Sequence, residues 1–300
     1  MNINIRMKTR ERSLFKVYTF FLLFFVSFYS TASEQKNAVF VDAHWLSKHA
    51  LDENLLIVDV RTEKEYLQGH IPSAVNISVS DTFKQKKPRN MIGGLQQIQA
   101  LFSEKGVTHE QTILIYADKE MKDAGRVFWV FEVFGHQRVK ILNGGLAAWE
   151  KVTGNKVTQL PTKNKVSHYV PTVEPDKLVS LLTMNLATKQ TGKPSIIDVR
   201  TQNEYLGKES KAKRFGHIPN AINIPAKSNF VDVDGVTLLK PMTELQLMYQ
   251  NYSGRIITYC NRGKDAALTY AVLRALGKNV SVYDGSWLEW GNDMKLPIEK

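Results

Sequence analysis

Ile256-Ile257-Thr258-Tyr259-Cys260-Asn261-Arg262-Gly263-Lys264-Asp265-Ala266 reads as a buried strand that runs through a short polar loop straight into a helix. Ile256 to Tyr259 are β-branched or aromatic, as residues inside a sheet are. Beyond Asp265, Ala267, Leu268, Ala271, Val272 and Ala275 recur at helical spacing, and Gly277 closes the segment. Cys260, at the strand's exit, is the only cysteine among 300 residues. A loop of this kind can turn successive backbone N–H groups toward one anion, and the helix behind it adds its positive N-terminus. The thiolate of Cys260, its nucleophilic form, is therefore predicted to be stabilised there. The alternative is a small buried hydrophobe. The two cations and the glycine of Asn261-Arg262-Gly263-Lys264 favour the nucleophile.

Working outward, short apolar strands alternate with helical patterns. Strands are predicted over 55–61, 74–77, 112–116 and 139–142, with helices over 43–50, 94–105 and 124–134. The same order then recurs. Asp198-Val199-Arg200-Thr201-Gln202-Asn203-Glu204-Tyr205 answers the stretch from Asp59-Val60-Arg61 to Tyr66, and Gly216-His217-Ile218-Pro219 answers Gly69-His70-Ile71-Pro72. Thr258-Tyr259 answers Ile115-Tyr116, and the stretch from Asp284-Gly285-Ser286-Trp287 to Trp290 answers that from Asn143 to Trp149. The offsets, 139, 147, 143 and 141, differ by an insertion over 206–215 and by small loop changes. A period this long means tandem domains rather than a solenoid. The expected division is a leader over 1–32, a first domain over 37–152, a linker over 153–171 rich in Lys, Thr, Asn and Pro, and a second domain over 172–300. Strands alternating with helices predict an α/β fold, a mainly parallel sheet with helices on both faces in each domain. Reactive sites in such sheets lie off the carboxyl ends of the strands, where Cys260 stands.

Composition bounds the rest. Residues 1–32 carry Arg6, Lys8, Arg10, Arg12 and Lys16, then an apolar run over 17–29, then Ser30-Thr31-Ala32. That is the pattern of a secretory signal peptide, and the run is short of the roughly 20 apolar residues of a membrane span. An exported, periplasmic protein is expected, with an uncleaved anchor as the alternative. The formal charge of +11 falls to +7 without residues 1–32, which hold five of the 40 Lys/Arg and one of the 29 Asp/Glu. The excess is scattered, which suits small anions and argues against nucleic acid. One cysteine cannot form an internal disulfide, so an exported chain that keeps a lone thiol at a loop base is expected to use it. Neither metal-ligand spacing nor a nucleotide-binding glycine loop is present in the sequence, and no cofactor is expected.

Taken together, Asp-Val-Arg and Gly-His-Ile-Pro near each domain's start, the Cys260 loop and the closing Gly-x-x-x-x-Trp resemble the rhodanese (sulfurtransferase) family, over about residues 38–300. The resemblance implies two tandem rhodanese-like domains of which the second is catalytic. The first carries Ala117-Asp118 where the second has Cys260, and its loop 116–124 contains neither cysteine nor glycine. It further implies that Cys260 takes the sulfane sulfur of a thiosulfate-like donor as a persulfide. Cyanide, a thiol or a protein partner then receives that sulfur. Asn261, Arg262, Gly263, Lys264 and Asp265 are the expected substrate-binding residues, Arg262 and Lys264 supplying charge for a sulfite leaving group. Arg262 matches thiosulfate-type members, and the loop lacks the Cys-Gly-Ser-Gly of mercaptopyruvate-type members. Glu204, by contrast, stands where many two-domain members carry an arginine for the donor.

Trp287 and Glu204 are further expectations, as walls of the pocket, with core packing an equal reading for Trp287. His70, His217, Asp59, Arg61, Asp198 and Arg200 occur in both copies and are expected to brace the fold at the sheet's edge. The alternatives are a mercaptopyruvate sulfurtransferase and a persulfide relay with little small-molecule turnover. A cysteine phosphatase is disfavoured, because Ala266 stands where that chemistry places an arginine.

Overall fold

The structure, a computed structural model, describes residues 38–85, 91–118, 120–189 and 194–300. The leader expected over 1–32 lies outside the described residues. Everything below belongs to the unit Val39–Lys300. Its first half runs β1 (Phe40–Val41), α1 (Ala43–His49), β2 (Leu55–Asp59), α2 (Glu63–Gln68), β3 (Val75–Asn76), α3 (Leu95–Glu104), β4 (Thr112–Tyr116), α4 (Lys122–Val133), β5 (Val139–Leu142) and α5 (Gly145–Thr153). Its second half repeats the plan with β6 (Leu178–Val179), α6 (Leu181–Ala187), β7 (Ser195–Asp198), α7 (Gln202–Tyr205) and β8 (Ala221–Asn223). There follow a hairpin, β9 (Phe230–Val233) and β10 (Val236–Leu239), then α8 (Met242–Tyr249), β11 (Arg255–Tyr259), α9 (Lys264–Ala275), β12 (Asn279–Tyr283) and α10 (Ser286–Trp290).

Each half folds around one five-stranded sheet, in the orders β1-β5-β4-β2-β3 and β6-β12-β11-β7-β8, and all pairs in both sheets are parallel. The orders correspond strand for strand, so the duplication read in the sequence is a duplication of topology. Central strands are apolar throughout because both faces are covered. The second sheet has α9 with Ala266, Ala267, Tyr270 and Ala271 on one face, and Met184, Ala187, Trp287 and Trp290 on the other.

The core on the α9 face is continuous with that of the first half. Helices α4 and α9, equivalent in the two copies, pack directly on each other. A Cβ added to Gly125 would lie 2.5 Å from the Leu268 Cα, so the glycine is what permits so close a crossing. The interface also holds a buried ionic cluster, with Glu132 paired to Arg274 at 3.0 Å and accepting from the Tyr270 hydroxyl.

The repeated motifs are structural in both copies. Arg61 binds Asp59 at 2.6 Å and Arg200 binds Asp198 at 2.5 Å, each guanidinium also donating to a glycine carbonyl, Gly69 or Gly216. These pairs sit at the ends of β2 and β7, one strand in from the edge rather than at the edge itself. His70 stacks on Tyr66 at 3.7 Å and His217 on Tyr205 at 3.8 Å, each ring Nδ1 meeting the tyrosine's own carbonyl.

Residues 153–171 are not a loose tether. His70 and Thr158 exchange two backbone hydrogen bonds, as His217 and Glu299 do at the end of the second copy. Farther on, Tyr169 is fully buried, edge-on to Phe102 and stacked on His109 at 4.3 Å. Polar composition suggested a linker. Its anchors are largely backbone hydrogen bonds, as at Thr158, and one buried ring, Tyr169, which leave that composition unaltered.

Candidate active site

Strand β11 lies between β12 and β7, and so delivers Cys260 to the centre of the second sheet's carboxyl edge. Its exit is held on both sides. The Thr258 hydroxyl donates to the Ala266 carbonyl at 3.1 Å. The Tyr259 hydroxyl donates to Asp198 at 2.6 Å and accepts from the Ile218 N–H at 3.1 Å. The chain then turns through Asn261 and Arg262 to Gly263, whose φ of +80° is the left-handed conformation that glycine adopts without strain.

That turn directs the Gly263 N–H at the Cys260 sulfur, 3.1 Å away, at the head of the twelve-residue α9. The loop's other anchors come from α10. Trp287 N–H donates to the Cys260 carbonyl at 2.9 Å, and Leu288 N–H to that of Asn261 at 3.2 Å. Cys260 N–H donates to the Ser286 hydroxyl at 3.3 Å. Ser286 itself has φ +54°, a strained position for a residue with a side chain, and the corresponding residue of the first half is Gly145 at φ +56°. Aligning the two copies would have exposed this serine, which motif reading passed over.

Of the expected loop residues, Asn261 is buried and its amide donates to Glu204 at 2.8 Å. Arg262 is exposed at the surface. Lys264 leaves its own domain to pair with Asp123 of the first half at 2.8 Å, over the ring of Phe83. Asp265 is half-buried, and burial raises its pKa against the pull of Lys122 and Lys211.

The two residues expected as pocket walls are both buried. Trp287 is fully so, with Arg200 4.4 Å above its ring and its indole N–H on Ser210 of the insertion, contacts that favour its packing reading. Glu204 is likewise buried. It closes a capping box with Thr201 and spends its other oxygen on Asn261, so its role is to tie the loop to α7. Glu204→Ala is expected to remove both contacts and cost about 1–3 kcal/mol. Thermal unfolding measures that loss, and Glu204→Gln, which keeps an acceptor for Asn261, should recover more than half of it.

The thiolate is also less favoured at rest than the loop alone suggests. Burial, followed by the charge of Asp265, pushes the Cys260 thiol up to about 11, against backbone N–H groups of Ala266, Arg262 and Gly263 that pull the other way. Desolvation outweighs the cradle while no anion is bound.

The first half has no cysteine at the equivalent position. Ala117 takes the place of Cys260, receiving the Leu146 N–H at 2.9 Å, and Met121 caps α4 where Gly263 caps α9. Beside this silent loop lies a cleft of about 390 Å³ lined by Met121, Lys122, Phe230, Val231, Asp265 and Leu268 among others.

Comparison with known proteins agrees with this architecture. The family model of the rhodanese-like domain matches twice, over residues 42–152 and 183–293. The chain is 34% identical over 275 residues to the thiosulfate sulfurtransferase of Corynebacterium glutamicum, covering 86% of this chain and 89% of that protein. It is 35% identical over 259 residues to SseA of Mycobacterium leprae, covering 82% and 83%. Among solved structures, it shares the fold of the anaerobic ergothioneine biosynthesis enzyme from Chlorobium limicola, with a TM-score of 0.76 at 20% identity over 87% of this chain and 70% of that one. Two matching domains, one with a cysteine at the strand exit and one without, place this chain in the rhodanese family as a tandem member.

Proposed function

We propose that the protein is a sulfurtransferase moving the outer sulfur of thiosulfate to a thiophilic acceptor through Cys260. The observation that carries this reading is the Cys260 sulfur at a strand exit, capped by the Gly263 N–H at the head of α9. The thiosulfate sulfurtransferase of Corynebacterium glutamicum supports the choice of donor.

In the first half-reaction the Cys260 thiolate attacks the sulfane sulfur of thiosulfate. The bond between the two sulfurs of the donor breaks, and sulfite leaves with the electron pair. In the second, an acceptor such as cyanide attacks the outer sulfur of the persulfide, and the electron pair returns to Cys260. Splitting the transfer this way replaces one difficult displacement by two easier ones. The loop N–H groups and the positive end of α9 stabilise each sulfur anion in turn. Arg262, exposed on the loop two residues after Cys260, is the cation proposed to meet an entering anion. Lys264, committed to Asp123, is less available for that than its position in the sequence suggested.

Thiocyanate production from thiosulfate and cyanide tests this function, with 3-mercaptopyruvate run in parallel. Faster turnover of thiosulfate supports the proposal, and faster turnover of mercaptopyruvate would overturn the choice of donor. Persulfide formation without turnover on either would favour a relay to a protein acceptor. Export is part of the proposal and rests on the sequence pattern of residues 1–32.

A second expectation follows from the raised thiol. Because the pKa lies above the ordinary cysteine value, the thiolate fraction still grows through the alkaline range. Iodoacetamide alkylation of resting Cys260 should therefore accelerate about tenfold per pH unit between pH 7 and 10, levelling only near pH 11. A plateau below pH 9 would show that the cradle prevails over burial.

A further inference from the structure

We infer that Arg126, in the silent domain, is a positioning residue for the catalytic loop of the other domain, acting through Asp284 to hold Gly263 where its N–H meets the Cys260 sulfur. Arg126 is fully buried on α4, and its Nη1 donates to Asp284 Oδ1 at 2.5 Å. The other oxygen of Asp284 accepts the backbone N–H of Ile92, also from the first half, at 2.7 Å. This cross-domain pair lies directly against Gly263. A Cβ there would fall 2.6 Å from Arg126 Nη1 and 2.8 Å from Asp284 Oδ1. The rings of Phe83 and Trp129, at 5.4 and 4.6 Å from the guanidinium, fix it in place.

The pseudo-symmetry of the molecule supplies the stronger argument. Arg126 is the fifth residue of α4, and the fifth residue of α9 is Leu268. Asp284 follows β12, and the residue that follows β5 is Asn143, which accepts the Leu239 N–H across the interface at 2.8 Å. The silent side thus keeps the cross-domain backbone contact but does without the charged pair. If Arg126 and Asp284 served only to join the domains, the charged pair would not be confined to the half of the interface that adjoins the Cys260 loop. A buried pair is weak support for stability in any case, because desolving two charges offsets most of their attraction. The charged groups around Cys260 include Asp265 on its own helix with Lys122 and Lys211 facing it, Arg262 in the loop, Glu204 through Asn261, Lys264 with Asp123, and this pair.

The inference rests on the sulfurtransfer reading for its rate measurement but not for its second readout. Single-turnover persulfide formation from thiosulfate would be followed by intact mass, and Cys260 alkylation by iodoacetamide across pH, in full-length wild type, Arg126→Met and Arg126→Met/Asp284→Asn. The single variant leaves Asp284 buried without its cation and should lose melting temperature. The double variant has no unpaired charge and should regain most of it. In both, persulfide formation should fall about 10- to 100-fold in rate at saturating donor, the scale expected when a reacting group is slightly misplaced. The alkylation midpoint should also move to higher pH. A double variant with wild-type rate and midpoint would overturn the inference and leave Arg126 as domain glue. Wild type that forms no persulfide counts against the sulfurtransfer reading, and the alkylation midpoint still decides the role of Arg126.

Discussion

Gly263→Ala should abolish most of the activity and destabilise the protein together. At φ +80° an alanine pays roughly 1–2 kcal/mol of backbone strain. Its methyl would also enter the space held by Arg126 and Asp284, contacts of 2.6 and 2.8 Å that cannot both persist. Overpacking of this kind costs about 1–3 kcal/mol, so a total loss of roughly 2–5 kcal/mol is expected. For a chain of this size that is a fall of roughly 4–20 °C in melting temperature. Relief of the clash must move either the loop or the pair behind it, and both hold the N–H that faces the sulfur. The rate of persulfide formation should drop by about 100-fold or more. Calorimetry and single-turnover mass measurements check the two parts separately. Gly277→Ala is the comparison, since its φ of +70° carries the same strain with nothing within 4 Å of the added methyl. It should cost only the strain and leave the rate intact.

Asp198→Ala is expected to give the largest loss of stability. Asp198 and the Arg200 side chain are fully inaccessible, and the carboxylate accepts from the Arg200 N–H, Nε and Nη2 and from the Tyr259 hydroxyl. Truncation leaves a buried guanidinium with Gly216 O as its remaining hydrogen-bond partner and Trp287 beneath it. Removing one member of such a pair costs about 3–5 kcal/mol. Because Tyr259 adjoins Cys260, the loop should also loosen. Asp59→Ala makes the same change in the silent domain, where Tyr116 donates to Asp59 at 2.7 Å and Ala117 follows it. Its stability loss should be comparable and its effect on persulfide rate smaller. Chemical denaturation of the two variants side by side tests this, and equal rate losses would contradict a catalytic loop confined to the second half.

The fold was legible because the chain states it twice. Strands over 112–116 and 139–142 fall where apolar runs place them, and Asp-Val-Arg and Gly-His-Ile-Pro recur with their tyrosines in matching order. Cys260 was legible for a different reason, as a lone thiol between an apolar strand and a cationic loop. What the sequence withholds is the encounter of residues far apart in it. Arg126 sits among valines and phenylalanines on α4, and no periodicity reveals that it meets Asp284 across the interface. Lys264 looks like a free loop cation until Asp123 is found beside it. The raised Cys260 pKa is equally invisible, because it depends on how completely neighbouring elements exclude water. Glu204 misled by its chemistry: a carboxylate seems adverse beside an anion site, yet here it is spent on Thr201 and Asn261.

The most direct test is the intact mass of the protein after brief exposure to thiosulfate, with Cys260→Ser treated identically. The account predicts a gain of one sulfur atom in the wild type, lost on adding cyanide and absent from the variant. No gain in the wild type, or an equal gain in Cys260→Ser, would contradict it.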